Sequence, residues 1–216
     1  MTTRPKRVRR SPEEARDAIL AAARDRLQTF GIEGLKIADV ARDAGMSHAT
    51  LLHHFGSSDE MRRALVERMA NALLSEFIGV LDGGPPDATR LGDLFTRLYH
   101  GLSLERHAQL FAWFALTALD NPDQLANTAK DTRPLFTALL EQMTRHNAEL
   151  GGSAQLARYI VLLVVSSAIG LGVASPWLKR VKLLTGRDEI GDFARWFAEF
   201  LLVHRERLPA KDSVRE

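Results

Sequence analysis

Along residues 36–60, KIADVARDAGMSHATLLHHFGSSDE, apolar positions recur at helical rather than alternating spacing, and a glycine interrupts them. Ile37, Val40, Ala41 and Ala44 stand at i, i+3, i+4 and i+7, a face too short to hold a helix without a neighbour. Gly45 ends that helix, because glycine takes a left-handed backbone at no steric cost, and Ser47 is a good N-cap for a second one. On the second helix Leu51 and Phe55, four apart, point inward. Ala49, Leu52 and His53 point outward, with Thr50 on the flank and His48 near the positive helix end. The pattern predicts a helix-turn-helix, whose second helix offers N-terminal residues to base edges in the major groove and flanking residues to phosphates.

The same periodicity predicts an all-α chain. A first helix starts after Ser11, with Pro12 at its first position and Glu13 and Glu14 favourable to the helix dipole. Ile19, Ala22, Ala23, Leu27 and Phe30 form its core face, and Gly31 closes it. A fourth helix begins at Ser57, with Glu60 completing a capping box, and carries Met61, Leu65, Met69, Leu73 and Phe77 in one stripe toward Leu81. Asp82-Gly83-Gly84-Pro85-Pro86-Asp87 is the clearest boundary. Beyond it come one helix with Leu91, Leu94, Phe95, Leu98 and Leu102, and another apolar nearly all round, expected at the centre of a bundle. Asn121-Pro122-Asp123 reads as a turn, and Thr132 and Pro134 open a helix bearing Leu135, Phe136, Leu139, Leu140 and Met143. Ser153 caps a long apolar helix through about residue 174, and a loop is expected over 175–186. Asp188 opens the last helix, with Phe193, Trp196, Phe197, Phe200, Leu201 and His204 on one face. No strand alternation or internal repeat is visible. The expected layout is a basic arm (1–10), a helix-turn-helix domain (11–56), a linking helix (57–82), a larger helical domain (88–208) and a tail (209–216).

Charge sharpens the first part of this picture. The chain of 216 residues carries a net charge of +2, yet its first ten residues hold Arg4, Lys6, Arg7, Arg9 and Arg10 and no acid, so +5 sits there and −3 on the rest. Such an arm suits minor-groove entry or phosphate screening beside a DNA-reading helix; the plainer alternative is a solvated tail. The absence of cysteine rules out a disulfide, a thiolate metal site and a thiol redox switch. The basic N-terminus is followed by an amphipathic helix rather than an apolar signal core, so a cytoplasmic protein is expected. Residues 160–178 are free of charge and long enough for a transmembrane helix, but Ser166, Ser167, Gly170, Gly172 and Ser175 dilute them and Pro176 should stop the helix. A helix buried on all sides is the expectation, and no membrane partner.

Residues 36–60 resemble the DNA-binding core of the tetracycline-repressor (TetR) family of transcriptional regulators. Val40-Ala41, Ala44-Gly45-Met46-Ser47, Thr50-Leu51, His54-Phe55, Ser57 and Asp59-Glu60 match its pattern position by position. Lys36 stands where the family usually has Thr, Ala49 where it has Gly, Leu52 where it has an aromatic and Ser58 where it has Lys. The resemblance is specific from Ser11 to about Leu81. It implies DNA contact by Lys36, Ser47, His48, Ala49, Thr50, Leu52, His53, His54 and Ser58, aided by Arg7, Arg9 and Arg10 of the arm. It also implies a homodimer formed by the last two helices, which would place two recognition helices on a near-palindromic operator.

The aromatic wealth of the last helix points the same way, toward an interface that includes Phe193, Trp196, Phe197 and Phe200; completion of a monomeric core is the alternative. No catalytic constellation, phosphate loop or nucleophile elbow is present in the sequence, and the spacing of His48, His53 and His54 offers no metal pair. No cofactor is expected. Gly170-Leu171-Gly172 reads as close helix packing. The function expected is that of a ligand-responsive regulator, a repressor released by a small, mostly apolar effector; the alternative is a helical enzyme or scaffold with an incidental helix-turn-helix. Tyr99, Trp113, Phe114, Phe136, Met143 and Tyr159 are candidates for lining the effector cavity, chosen as bulky residues on central helices.

Overall fold

A computed structural model describes residues 11–84, 86–103, 106–119, 122–149 and 153–204. Among these the chain is all-α, with nine helices and one 3-10 turn: α1 (Pro12–Phe30), the turn Ile32–Gly34, α2 (Ile37–Asp43), α3 (His48–Phe55), α4 (Ser58–Asp82), α5 (Ala88–Ser103), α6 (His107–Leu119), α7 (Pro122–Glu149), α8 (Ala154–Arg180) and α9 (Glu189–His204). They form two compact units, residues 1–65 and 66–216, and α4 runs from the first into the second. The basic arm, with Arg7, Arg9 and Arg10, lies outside the described residues.

The first unit is small and held at its joints by polar groups. Ser11 and Glu14 close a reciprocal capping box at the start of α1. Ala15, Ile19, Leu20, Ala23 and Leu27 fill the core with Leu35, Val40, Leu51 and Phe55, whereas Phe30, expected inside, is exposed at the last turn. Its ring lies against the Arg26 guanidinium instead, 4.9 Å away. Arg26 donates to the Gly34 carbonyl (2.7 Å), Asp43 (2.7 Å) and Asp39 (3.1 Å), so one side chain ties α1 to the 3-10 turn and to α2. The Arg26 hydrogen bond holds the Asp43 carboxyl below the usual carboxylate range. At α4 the Glu60 N–H donates to Ser57 Oγ, but the Ser57 N–H goes to the Phe55 carbonyl, so only half of the expected capping box forms.

The second unit is larger and held by apolar packing. Phe95, Tyr99 and Phe197 interlock between α5 and α9, and Val164 and Ala168 of α8 join that core. Gly172 permits the closest approach: a Cβ there would sit 2.5 Å from the Ala108 Cβ and 3.0 Å from the Leu102 carbonyl, so α8 can meet α5 and α6 only without a side chain. Gly170 faces open space and serves no such packing.

Four expectations need correction. Pro134 does not open a helix; it lies inside the continuous α7, which already begins at Pro122, while Asn121 of the expected turn lies outside the described residues. Pro176 likewise sits inside α8, which runs on to Arg180, beyond the loop start expected at 175. A proline forfeits one backbone hydrogen bond, and the long flanking helices tolerate that loss. α6 is not central: Ala108 and Leu110 are buried, but Leu116 is exposed. α8 is not buried on all sides. Leu156, Ala157, Val164, Ala168 and Gly172 face the core, while Tyr159, Leu162, Leu163, Val173 and Trp177 form an exposed apolar face. By length and composition alone α8 could cross a membrane.

Candidate functional sites: a recognition helix and an apolar cavity

The first site is built by the way α2 stops. Gly45, at φ +69°, lets the chain reverse: its N–H bonds the Arg42 carbonyl (3.0 Å) and the Met46 N–H bonds the Ala41 carbonyl (2.8 Å), the paired bonds of a Schellman motif. Ser47 then caps α3, its Oγ accepting the Thr50 N–H at 3.0 Å and contacting the Thr50 hydroxyl at 2.7 Å. Leu51 and Phe55 are buried, which fixes the roll of the helix. Ser47, His48, Ala49, Thr50 and His53 are therefore exposed, and Leu52 and His54 half-buried on the flanks.

The far end of α3 is held from α1. Arg16 donates to the His54 carbonyl and lays its guanidinium 4.2 Å from the centre of the Phe55 ring, so a cation satisfies the negative end of the helix and stacks on its last core residue. The sequence pattern does not single out Arg16 or Arg26; an arginine on the edge of an apolar stripe is the only signal that could have marked them. Lys36 is exposed at the N-cap of α2 and makes no side-chain cap. Ser58 is half-buried and donates weakly to the Leu35 carbonyl (3.4 Å), toward its own unit.

The second site is a cavity of about 330 Å³ within the second unit. α4 lines it with Val66, Ala70, Leu73, Leu74, Phe77 and Leu81, and α5 with Leu91, Leu94, Phe95, Leu98 and Leu102. α6, α7 and α8 add Phe111, Phe114, Thr132, Phe136, Leu139, Met143, His146, Ile160 and Val164 among others. Among the described residues no Asp, Glu, Lys or Arg lines it. Phe114, Phe136 and Met143 thus stand in the wall. Tyr99, Trp113 and Tyr159 do not, which corrects their selection. Tyr99 is fully buried in the aromatic core, donates to Ser167 (2.6 Å) because the Ser167 proton goes to the Leu163 carbonyl, and has its pKa raised by burial. Tyr159 lies on the exposed face of α8, 57% accessible, and accepts from Gln155. Trp113 is half-buried on α6 outside the lining.

Of the residues expected at an interface, Phe197 is buried in the chain's own core. Phe193 and Phe200 are partly buried beside it, stacked with Trp196, which is 56% exposed. Among the described residues no cluster of His, Cys, Asp and Glu could hold a metal ion.

A tight two-helix turn with a rolled, capped and clamped second helix defines the class: a helix-turn-helix DNA-binding domain. Residues 19–65 match the family described as bacterial regulatory proteins, tetR family. It is 29% identical over 122 residues to the HTH-type transcriptional regulator AlkX of Mycobacterium tuberculosis, a match that spans 56% of each chain, so it covers just over half of that relative. It is 28% identical over 200 residues to the HTH-type transcriptional repressor Rv3405c of the same species, covering 90% of this chain and 93% of the relative. The fold as a whole is shared with solved structures. A transcriptional regulator from Rhodococcus sp. Rha1 matches with a TM-score of 0.63 at 21% identity, over 90% of this chain and 97% of that one. Thermus thermophilus FadR, a TetR-family repressor in complex with lauroyl-CoA, matches with a TM-score of 0.57 at 17% identity, over 93% and 98%.

Proposed function

We propose that this chain is a ligand-responsive transcriptional regulator, a repressor that binds a near-palindromic operator as a homodimer and is released when an apolar effector fills its cavity. One observation carries the reading: Ala49, Thr50 and His53 of α3 are exposed on the side away from Leu51 and Phe55, on a helix whose two ends are fixed by Ser47 and Arg16. That is a surface prepared to enter a groove. Ala49, Thr50, Leu52 and His53 face the base edges; Ser47, His48, His54, Lys36 and Ser58 face the backbone, with Arg7, Arg9 and Arg10 adding phosphate contacts from the arm.

Dimerisation rests on the exposed apolar faces of α8 and α9. Leu162, Trp177 and Trp196 are 61%, 64% and 56% accessible in the single chain, more apolar surface than a lone molecule leaves to water without use. A second copy covers it better than a bilayer does, because the opposite face of α8 is already packed into the core. Such a regulator works beside the chromosome, in the cytoplasm. α4 carries the coupling, since it begins beside the helix-turn-helix and lines the cavity with six residues. A ligand releases DNA only to the extent that it prefers the conformation that does not bind DNA.

Footprinting on DNA flanking the chain's own gene tests the reading. The expected result is a protected inverted repeat whose protection weakens steeply as salt rises. The absence of a protected repeat at moderate salt would refute it.

A further inference from the structure

Outside its first ten residues the chain carries −3, yet residues 159–187 hold Lys179, Arg180, Lys182 and Arg187 and no acid. All four cations are exposed, and none pairs with a carboxylate among the described residues. The acids that follow are engaged elsewhere: Asp188 with His100 and Arg195, Asp192 with Arg195, and Glu189 with the backbone N–H groups of Thr185 and Gly186. Lys179 and Arg180 suit the negative end of α8, but Arg187 stands beyond it and serves no helix end. Lys182 occupies a position that favours glycine. At φ +59° it closes a Schellman motif, its N–H bonding the Lys179 carbonyl (3.2 Å) and the Leu183 N–H bonding that of Leu178 (2.9 Å). The second unit's own contacts place this cluster. α5 runs antiparallel to α4, since Arg97 bonds Glu76 and Arg90 bonds the Val80 carbonyl (2.8 Å), so the Leu102 end of α5 lies at the end of the unit where α4 enters at Val66. α8 runs the same way as α5, because Tyr99 bonds Ser167 and Gly172 abuts the Leu102 carbonyl. Past Gly172 it continues for about 12 Å to Arg180, and the bond between His100 and Asp188 (2.6 Å) ties the returning chain to the same end. The four cations therefore project from the end of the second unit at which α4 enters.

Resting on the reading of α3 as a DNA-reading helix, we infer that Lys179, Arg180, Lys182 and Arg187 form a second DNA-binding surface, which holds backbone phosphates without reading bases. Duplex DNA carries one negative charge per about 1.7 Å of its axis, so a short run of free cations meets several phosphates. The tether favours DNA over other polyanions. Once α3 occupies its site, the 25 residues of α4, about 37 Å of helix, keep the cluster close to the same duplex, and a contact too weak to form alone forms at that effective concentration. An anionic membrane is the competing partner, because Trp177 and Leu183 lie exposed beside the cations. Trp177, however, is on the apolar face that a second copy covers.

The test is fluorescence anisotropy on the full chain with its footprinted operator and with a scrambled duplex, across salt from about 50 to 300 mM. The combined variant Lys179→Gln, Arg180→Gln, Lys182→Gln and Arg187→Gln should make the slope of log K against log salt shallower by about two to four per chain on both duplexes. Binding at moderate salt should weaken about tenfold or more, with the ratio of affinities for the two duplexes unchanged. Lys182→Gly should raise the melting temperature by about 2–4 °C yet make the slope shallower by about one, a gain in stability with a loss of binding that a merely structural lysine would not give. Melting curves establish that the combined variant folds, and Lys182→Gly carries the test if it does not. An unchanged salt slope, or a changed ratio between the two duplexes, would overturn the proposal. A changed mass of the combined variant in sedimentation would assign the cations to the interface between copies. Lost binding to phosphatidylserine vesicles with an unchanged DNA slope would assign them to a membrane, and either result overturns the DNA surface. A wild type that binds operator while the variant keeps its slope refutes this surface alone, whereas a wild type that binds neither duplex refutes the regulator reading and this surface with it.

Discussion

The two units solve opposite problems. The first must present side chains outward at fixed positions, and it does so with a small core whose joints are set by caps and arginines: Ser11, Ser47, Gly45, Arg16 and Arg26 each hold backbone or helix ends in place. The second must keep space inside, and the walls of that space are mostly aliphatic and aromatic side chains. A surface reader needs rigidity at its helix ends, whereas a ligand container needs side chains that can close around a guest.

This difference should appear most strongly in truncations. Leu51 is wholly buried beneath the recognition helix, so Leu51→Ala should cost about 3 kcal/mol through lost burial and an unfilled hole. Phe136 already faces empty volume on one side, so Phe136→Ala should cost less than half as much, about 1 kcal/mol. Urea unfolding of the two variants measures both; equal losses would mean that the cavity wall is packed as tightly as the first core.

Acid distinguishes the units by the partners of their carboxylates. Asp43 in the first unit is held low by a hydrogen bond from Arg26, and Asp188 in the second by a hydrogen bond from His100 at 2.6 Å. A lowered carboxyl contributes stability that is present above its unfolded value, near 3.8, and is lost as pH falls through its folded value. Asp188→Asn should therefore flatten the acid limb of melting temperature against pH in that region, and Arg26→Met should flatten the share owed to Asp43. A variant whose acid limb keeps the wild-type slope would show that the pair does not stabilise its unit.

The contrast also explains what was legible in the sequence. The turn, the caps and the inward residues of α3 depend on neighbours within a few positions, so the pattern of residues 36–60 was enough to place them. The cavity depends on α4, α5, α7 and α8 meeting at a distance, and a list of bulky residues cannot tell a wall from a core. Tyr99 was therefore misplaced, because its hydrogen bond to Ser167 on α8 settles its position and that residue lies 68 positions away. Pro134 and Pro176 misled for a related reason: their local cost is real, but long helices on either side outweigh it.

Smaller effects test the edge of the DNA-reading face. Lys36 occupies the N-cap of α2 without capping it, so a charge stands where a hydroxyl would satisfy the helix. Lys36→Thr should raise stability by about 0.5–1 kcal/mol while making the slope of log K against log salt shallower by about one per half-site. Ser58→Lys should steepen that slope by a similar amount with little change in base preference, provided the lysine turns from the Leu35 carbonyl to a phosphate. Unchanged slopes in both variants would mean that neither position reaches the DNA backbone.

The claim that the outward-facing helix and the inward-facing cavity form one switch is tested most directly by measuring ligand affinity with and without DNA. The probe is 1-dodecanol, titrated by calorimetry into the free protein and into the protein saturated with its footprinted operator. Reciprocity requires operator to weaken alcohol binding by the same factor by which the alcohol weakens operator binding, about 5- to 150-fold for typical coupling energies. Equal alcohol affinity in the two states would contradict the account.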